Sequence, residues 1–350
     1  MSISTKFRRR RLLVAVAALM ILVAGVAAFS ARSAIRSAYE QLIGNDYQGS
    51  GYGQVLFDIN EGDSGEEIAQ NLVEQEVVKD FRFTYKLMID GDVLFHPGTF
   101  RLAHKMSSAA AISALTSAES AVLNSVTIRE GLRLQAVYAA LSKATGIPVT
   151  EFENVGGQLE LFDLPKAAPS LEGYLFPATY NFGPKSTAKS ILLTLRSRMN
   201  EEITRQGIAP SDVHRVLTLA GLVQKEARIT SDFYKVSRTF LNRIDAGMKL
   251  QSDATVSYGV NGSTVSTSAA DRANDNPYNT YKYEGLPIGP IGAPGSVAID
   301  AALHPAKGNW LYFCTINLAT GETVFSDTYA QHEVAVQKWR AWMKDHPEYE

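Results

Sequence analysis

Eighteen consecutive residues near the N-terminus, Leu12 to Phe29 ("LLVAVAALMILVAGVAAF"), carry no charge. A helix of that length is about what a lipid bilayer requires. The preceding "KFRRRR", Lys6 to Arg11, is strongly basic. Positive charge ahead of a span holds the N-terminus in the cytoplasm and sends the following chain across the membrane. The competing reading is a cleaved signal peptide, since "AAFSARS" offers small residues near a cleavage point; the apolar run is longer than a usual signal core, which favours a retained anchor. The expected topology is therefore single-pass in the cytoplasmic membrane, with residues 1–11 cytoplasmic, 12–29 spanning, and everything from residue 30 periplasmic or extracytoplasmic. ATP and nicotinamide cofactors are scarce there, and the sequence has no Gly-rich phosphate loop.

The remaining chain is long enough for two folded parts. Hydrophobic residues make up 45% and charged residues 20%, which suits a globular protein with a sizeable core. A formal net charge of −2 gives no pull toward nucleic acid. Cys314 is the single cysteine, so no internal disulfide can form; its apolar strand "LYFCTI" suggests a small buried hydrophobe.

After a polar linker (residues 30–53), residues 54–124 read as one unit. "QVLFDINEGDSGEEIAQNLVEQEVV" gives strand, turn and helix, with Ser64 and Glu67 spaced as a capping box. "GDSG" suggests a serine-protease nucleophile only superficially, because the histidine that should precede it is missing: the first is His96. A second helix over "DFRFTYKLMI" and a returning strand at "HPGTFRLA" complete a βααβ order resembling a LysM domain, a glycan-binding module. Residues 125–350 then form a mixed α+β unit. Val213, Val216, Leu217, Ala220, Val223 and Ala227 mark one helix face, and Phe233, Val236, Phe240 and Ile244 the next. "MKLQSDATVSYG" reads as loop and sheet, followed by a long Pro/Gly/Tyr loop, a helix near "SVAIDAAL" and a hairpin over "WLYFCTINLATGETVFSD".

The chemistry centres on "LAGLVQKEARI", residues 219–229. At 100° per residue Glu226 lies on the flank of the apolar face, between Leu219 and Leu222, with Lys225 on the opposite, wetter side and Gln224 roughly 160° away. A carboxylate among leucines loses hydration, which raises its pKa and suits a general acid. The alternative is an ordinary boundary glutamate paired with Lys225, Arg228 or a distant arginine. A second carboxylate would be Asp253, Glu172 or Glu284; spacing does not choose among them. The loop at 276–296 is long, irregular and aromatic, which favours an ordered functional segment, and its Tyr278, Tyr281 and Tyr283 could stack on sugar faces. Scattered histidines, no HExxH and no GxSxG leave metal and esterase chemistry without support.

Nine ordered motifs carry a wider resemblance: "GDSGEEIAQNL", "PGTFRL", "TIREG", "LEGYLFPATY", "LAGLVQKEA", "FLNRIDAGMKLQSDATVSYG", "YNTYKYEGLPIGPIGAPG", "AALHPAKGNWLYF" and "FSDTYAQH". Together with the N-terminal span they resemble the YceG-like, or MltG-type, endolytic murein transglycosylases over essentially the whole exported chain. The resemblance implies an α+β fold with a LysM-like βααβ subdomain and a catalytic domain. It also implies cleavage of MurNAc-β-1,4-GlcNAc bonds inside peptidoglycan strands, leaving 1,6-anhydro-MurNAc ends, with no cofactor and no metal.

By the same resemblance Glu226 is the acid/base, last in a motif that usually reads Glu-Lys-Glu and here reads Gln224-Lys225-Glu226. Ala178 stands where the family tends to have Asp. Motif position nominates Gln251, Ser252, Asp253, Tyr258, Asn279, Tyr281 and Glu172 as substrate contacts. The implied partners are peptidoglycan strands and glycan polymerases, penicillin-binding proteins among them, with the membrane held through the N-terminal helix. A non-catalytic LysM-type scaffold and a true hydrolase are the competing functions.

Overall fold

The computed structural model describes residues 45–262 and 267–349. The expected membrane span and cytoplasmic N-terminus lie outside the described residues. Among the described residues no helix is long and apolar enough to cross a membrane. The fold is mixed α+β with small two-stranded sheets, and the chain divides into two compact units, one ending at Leu123 and one starting at Asn124.

In the first unit β1 (Tyr52–Ile59) pairs antiparallel with β2 (Gly98–His104), and α1 (Gly65–Glu74) and α2 (Phe81–Asp90) lie between them in sequence. The order is thus strand, helix, helix, strand, followed by α3 (Ser108–Leu115). Ser64 is a helix cap: Glu67 N–H donates to its Oγ at 3.2 Å, and the Glu67 carboxylate accepts from Ser64 N–H at 2.7 Å. Phe57, Ile68, Leu72, Phe100 and Leu115 close a separate core.

The second unit is built around two apolar clusters. One lies between the β3 (Asn124–Thr127)–β4 (Thr179–Phe182) pair and helices α4 (Leu134–Thr145), α5 (Val149–Gly156) and α6 (Ala188–Arg205). The other surrounds α7 (Val213–Glu226), which packs against α8 (Thr230–Asp245) and, further along the chain, the helix Ser296–Leu303. Every residue from Val216 to Val223 is buried, so α7 is covered on all sides rather than on one face. Gly221 allows this: a Cβ there would stand 3.2 Å from the Gly292 carbonyl, so the Gly/Pro-rich loop can lie directly on the helix.

"DATVSYG" departs from the expected loop and sheet. It forms a helix, α9 (Asp253–Gly259), despite its β-branched Thr255 and Val256. Both are fully buried, and α9 packs on α7, so tertiary packing overrides the local strand preference. After α10 (Ala269–Ala273), α11 (Ser296–Leu303) precedes the hairpin of β5 (Tyr312–Asn317) and β6 (Glu322–Ser326), and α12 (Tyr329–Asp345) follows. Cys314, expected to be buried, is only half-buried on β5.

Candidate active site

Helix α7 stops at Glu226 because Ala227 takes extended backbone angles, φ −88° and ψ 142°. Glu226 is therefore the last helical residue, at the negative end of the helix dipole, where a carboxylate's charge is least welcome. It opens into a cavity of about 650 Å³, a size that takes small-molecule or sugar ligands. Burial holds its carboxyl above the ordinary carboxylate range; Asp253 adds to the rise, while the Ser252 hydrogen bond and the Arg243 guanidinium oppose it. Ser252 Oγ donates to Glu226 Oε1 at 2.5 Å. Glu226 has no salt-bridge partner among the described residues, so it is not the ion-paired boundary glutamate of the alternative reading.

The opposing wall comes from the turn after α8. Gln251 adopts a left-handed backbone, φ 52°, unusual for a residue with a side chain. Its N–H donates to the Thr280 carbonyl at 3.0 Å, and Ser252 N–H donates to Thr280 Oγ1 at 3.1 Å. This stapled bend turns Gln251, Ser252 and Asp253 into the cavity beside Glu226. Asp253 Oδ1 accepts from the Tyr281 hydroxyl at 3.0 Å, from Thr267 Oγ1 at 2.5 Å and from Arg272 Nε at 3.3 Å. Tyr281 reaches the cavity wall, and burial first, then the Asp253 charge, pushes its phenol up to about 12.

Three nominated contacts lie elsewhere. Asn279 is fully buried; its amide donates to the Arg272 and Asn274 carbonyls, and its oxygen accepts from Tyr281 N–H. It folds the loop that presents Tyr281. Tyr258 packs against Tyr278, ring centres 4.7 Å apart, with the Arg133 guanidinium 5.4 Å from its ring. Glu172 is 3% exposed, and both its oxygens accept from Leu134 N–H, at 2.9 and 3.1 Å. The N-cap of α4 is Arg133, which makes no side-chain cap bond; Glu172 supplies the missing acceptor. Burial raises Glu172 to about 7 against the hydrogen bonds from Leu134 and Tyr258. Glu284, the third option for a second carboxylate, is exposed and outside the cavity wall. Of the loop tyrosines only Tyr281 lines the cavity, since Tyr283 is exposed and bonded to Asp275.

Lys225, expected on the opposite side of the helix, lines the same cavity. Its side chain is exposed, as a position on the wetter side of the helix requires, and its stem lies against Gly292, where a Cβ would stand 3.2 Å from Lys225 Cε. Gln224 instead accepts from Gly295 N–H at 3.0 Å and anchors the loop. Sequence reasoning missed Arg133, Arg243 and His332, which also line the cavity. Arg133 lies two residues past "TIREG", Arg243 within "FLNRID" and His332 at the end of "FSDTYAQH", and nothing local in those stretches marks these side chains. Arg243 donates to the Leu311 and Leu250 carbonyls at 2.6 and 2.7 Å. His332 stacks on Tyr312, ring centres 5.3 Å apart, and burial with the nearby Arg243 charge lowers its pKa. Among the described residues no group of His, Cys, Asp and Glu is arranged to hold a metal ion.

The sequence profile of the YceG-like family matches residues 57–338, most of the chain and all of the cavity wall. The chain belongs to the YceG-like family. A Bacillus subtilis (strain 168) protein named endolytic murein transglycosylase is 33% identical over 310 residues, covering 81% of this chain and 84% of that protein. A Streptococcus pneumoniae (serotype 2, strain D39) protein of the same name is 32% identical over 172 residues, covering 47% of this chain and 31% of that longer protein. The crystal structure of a yceG-like protein from Listeria monocytogenes superposes with a TM-score of 0.53 at 27% identity, over 80% of this chain and 98% of that one.

Proposed function

We propose that this YceG-like protein is a peptidoglycan lytic transglycosylase that cuts MurNAc-β-1,4-GlcNAc bonds within nascent glycan strands and leaves 1,6-anhydro-MurNAc ends. The observation that carries the reading is Glu226, a single carboxylic acid with a raised pKa in a sugar-sized cavity. Its relatives' shared name, endolytic murein transglycosylase, supports the same reaction class.

Ordinary glycosidases use two carboxylates, one as acid and one as nucleophile or base. Here Glu226, protonated, donates its proton to the glycosidic oxygen as the bond to the anomeric carbon breaks. The substrate's own N-acetyl group stabilises the positive charge left there. Glu226, now ionised and steadied by the Ser252 hydroxyl, takes the proton from the C6 hydroxyl of the same sugar. That oxygen bonds to the anomeric carbon and closes the anhydro ring. Both reacting groups sit on one sugar, so the ring closure is intramolecular and needs no bound water. Asp253 Oδ1, already accepting from three donors, serves as a hub holding Tyr281 at the wall.

In the full reading residues 12–29 anchor the protein in the cytoplasmic membrane, the βααβ unit contacts glycan, and a glycan polymerase works alongside. The test incubates uncrosslinked glycan strands with the protein and with Glu226→Gln, and weighs the products by mass spectrometry. Internal fragments with anhydro ends, lost in the variant, are expected. Reducing ends, heavier by one water, would instead identify a hydrolase. Binding without cleavage by either protein would favour the scaffold function.

A further inference from the structure

Thr328 and Gln331 form a capping box that fixes the start of α12, and one turn in, His332 N–H donates to the Thr328 carbonyl at 3.1 Å. The His332 ring joins the cavity wall that also holds Glu226 and Arg243. Tyr312 of β5 stacks on it, ring centres 5.3 Å apart and planes 21° from parallel, and the Tyr329 ring lies 6.1 Å away. Among the described residues its Nδ1 is buried with no hydrogen-bond partner. Its Nε2 makes no hydrogen bond with the protein among them either, yet is not sealed, so it is the open end of the ring.

Burial first, then the Arg243 charge on α8, favours the neutral imidazole; Glu333, the next residue of α12, opposes them. A neutral ring carries one N–H, and a buried N–H without an acceptor is a costlier orphan than a buried lone pair. The proton therefore belongs on Nε2, at the open end. We infer that His332 is a substrate-positioning residue whose Nε2–H donates to an uncharged oxygen of the ligand that Glu226 protonates. This rests on the reaction proposed above, which makes that ligand a glycan. Sugars present hydroxyl, ether and amide oxygens, all uncharged acceptors. Arg243, the cation beside the ring, already donates to the Leu311 and Leu250 carbonyls, which argues against an anion as the occupant. Glu226 ends α7 and His332 opens α12, so the ligand is gripped from two separate segments. Two such contacts fix an orientation that one would leave free to swing.

Two substitutions in the full chain separate a donor from a packing group. His332→Gln keeps an N–H near the place of Nε2 and loses the stack, whereas His332→Phe keeps the stack on Tyr312 and loses the donor. Binding of uncrosslinked glycan strands is measured in the Glu226→Gln background, so that nothing turns over, and cleavage with Glu226 intact. His332→Phe should weaken binding and lower kcat/KM about fivefold, the scale of one neutral hydrogen bond, and His332→Gln should recover most of that loss. A ring that only packs reverses the order, with His332→Phe harmless and His332→Gln weak, and that result overturns the proposal. Nitrogen NMR of His332, assigned through its neighbours Gln331 and Glu333, reads the unsubstituted ring and needs neither variant to fold. An Nε2–H tautomer at neutral pH, with a signal that moves when strands are added, is expected. An Nδ1–H tautomer, an imidazolium, or a signal indifferent to strands that the protein binds overturns the role. So does a signal moved by inorganic phosphate alone, which would mark an anion site. If strands are cut and both variants match the parent, the role of His332 fails and the enzyme stands. If the expected order holds in binding while no strand is cut, the enzyme reading fails and the contact stands.

Discussion

The hydroxyl of Ser252 points its proton at Oε1 of Glu226 across 2.5 Å, joining the end of α7 to the bend that follows α8. This bond favours the ionised carboxylate, against the burial that favours the acid. Ser252→Ala removes the first and leaves the second, so Glu226 should keep its proton to higher pH. Because the reaction starts from the protonated form, the alkaline limb of the kcat/KM profile should move to higher pH, while the rate at the optimum falls. A pH–rate series on both proteins checks it; an unmoved alkaline limb would sink the claim that Ser252 sets this acid's strength.

Glu172 ties the N-terminus of α4 to the segment before β4, and its folded pKa of about 7 lies above the ordinary 4.5. The fold therefore holds this proton more tightly than the unfolded chain does. The resulting stability is fully present below about pH 4.5 and is lost as pH rises through about 7. A shift of that size corresponds to on the order of 3 kcal/mol. Glu172→Gln keeps an acceptor for Leu134 N–H without the titration, so the variant should gain on the parent between pH 4.5 and 8. Urea unfolding at the two ends of that range measures the difference, and parallel behaviour of the two proteins would count against it.

Gly173 sits beside Glu172 with φ 77°, and a Cβ there would stand 2.3 Å from Cβ of Pro290. Gly207 also has a positive φ, 67°, but meets nothing within 4 Å. Gly207→Ala should cost only the backbone term, about 1 kcal/mol. Gly173→Ala adds a clash with the loop that covers α7 and should cost more than about 3 kcal/mol. Equal losses in chemical denaturation would show that the loop yields easily.

Arg272 and Asp253 form an ion pair whose side chains are 42% and 34% exposed. Such a pair contributes under about 1 kcal/mol to stability, so Arg272→Ala should barely move the melting temperature. Its effect belongs in KM, which should rise several-fold as the hub holding Tyr281 loosens. A lowered melting temperature with unchanged KM would assign Arg272 to the scaffold alone.

Much of this was legible from local pattern. A capping box needs only Ser64 and Glu67 three residues apart, and the helical face from Val213 to Val223 announces itself by period. Glu226 stood out because a carboxylate at the edge of that face is locally unusual. The polar residues of the loop were harder, since Asn279 and Tyr258 look the same in sequence whether they face a sugar or hold a turn. Only the fold shows that Asn279 spends its amide on the Arg272 and Asn274 carbonyls.

Local pattern alone determined the capped helices, the paired strands of the first unit, the membrane-length apolar run and the carboxylic acid, because each depends on neighbours within a few turns of chain. The tertiary structure alone decided what surrounds that acid. Arg133 arrives at the head of α4, Arg243 from α8 and His332 from α12, and α9 is helical because Thr255 and Val256 are buried. Lys225 also lines the cavity, its stem lying against Gly292, where a Cβ would stand 3.2 Å from Cε. Convergence of this kind is a property of packing between distant segments, and no local propensity encodes it.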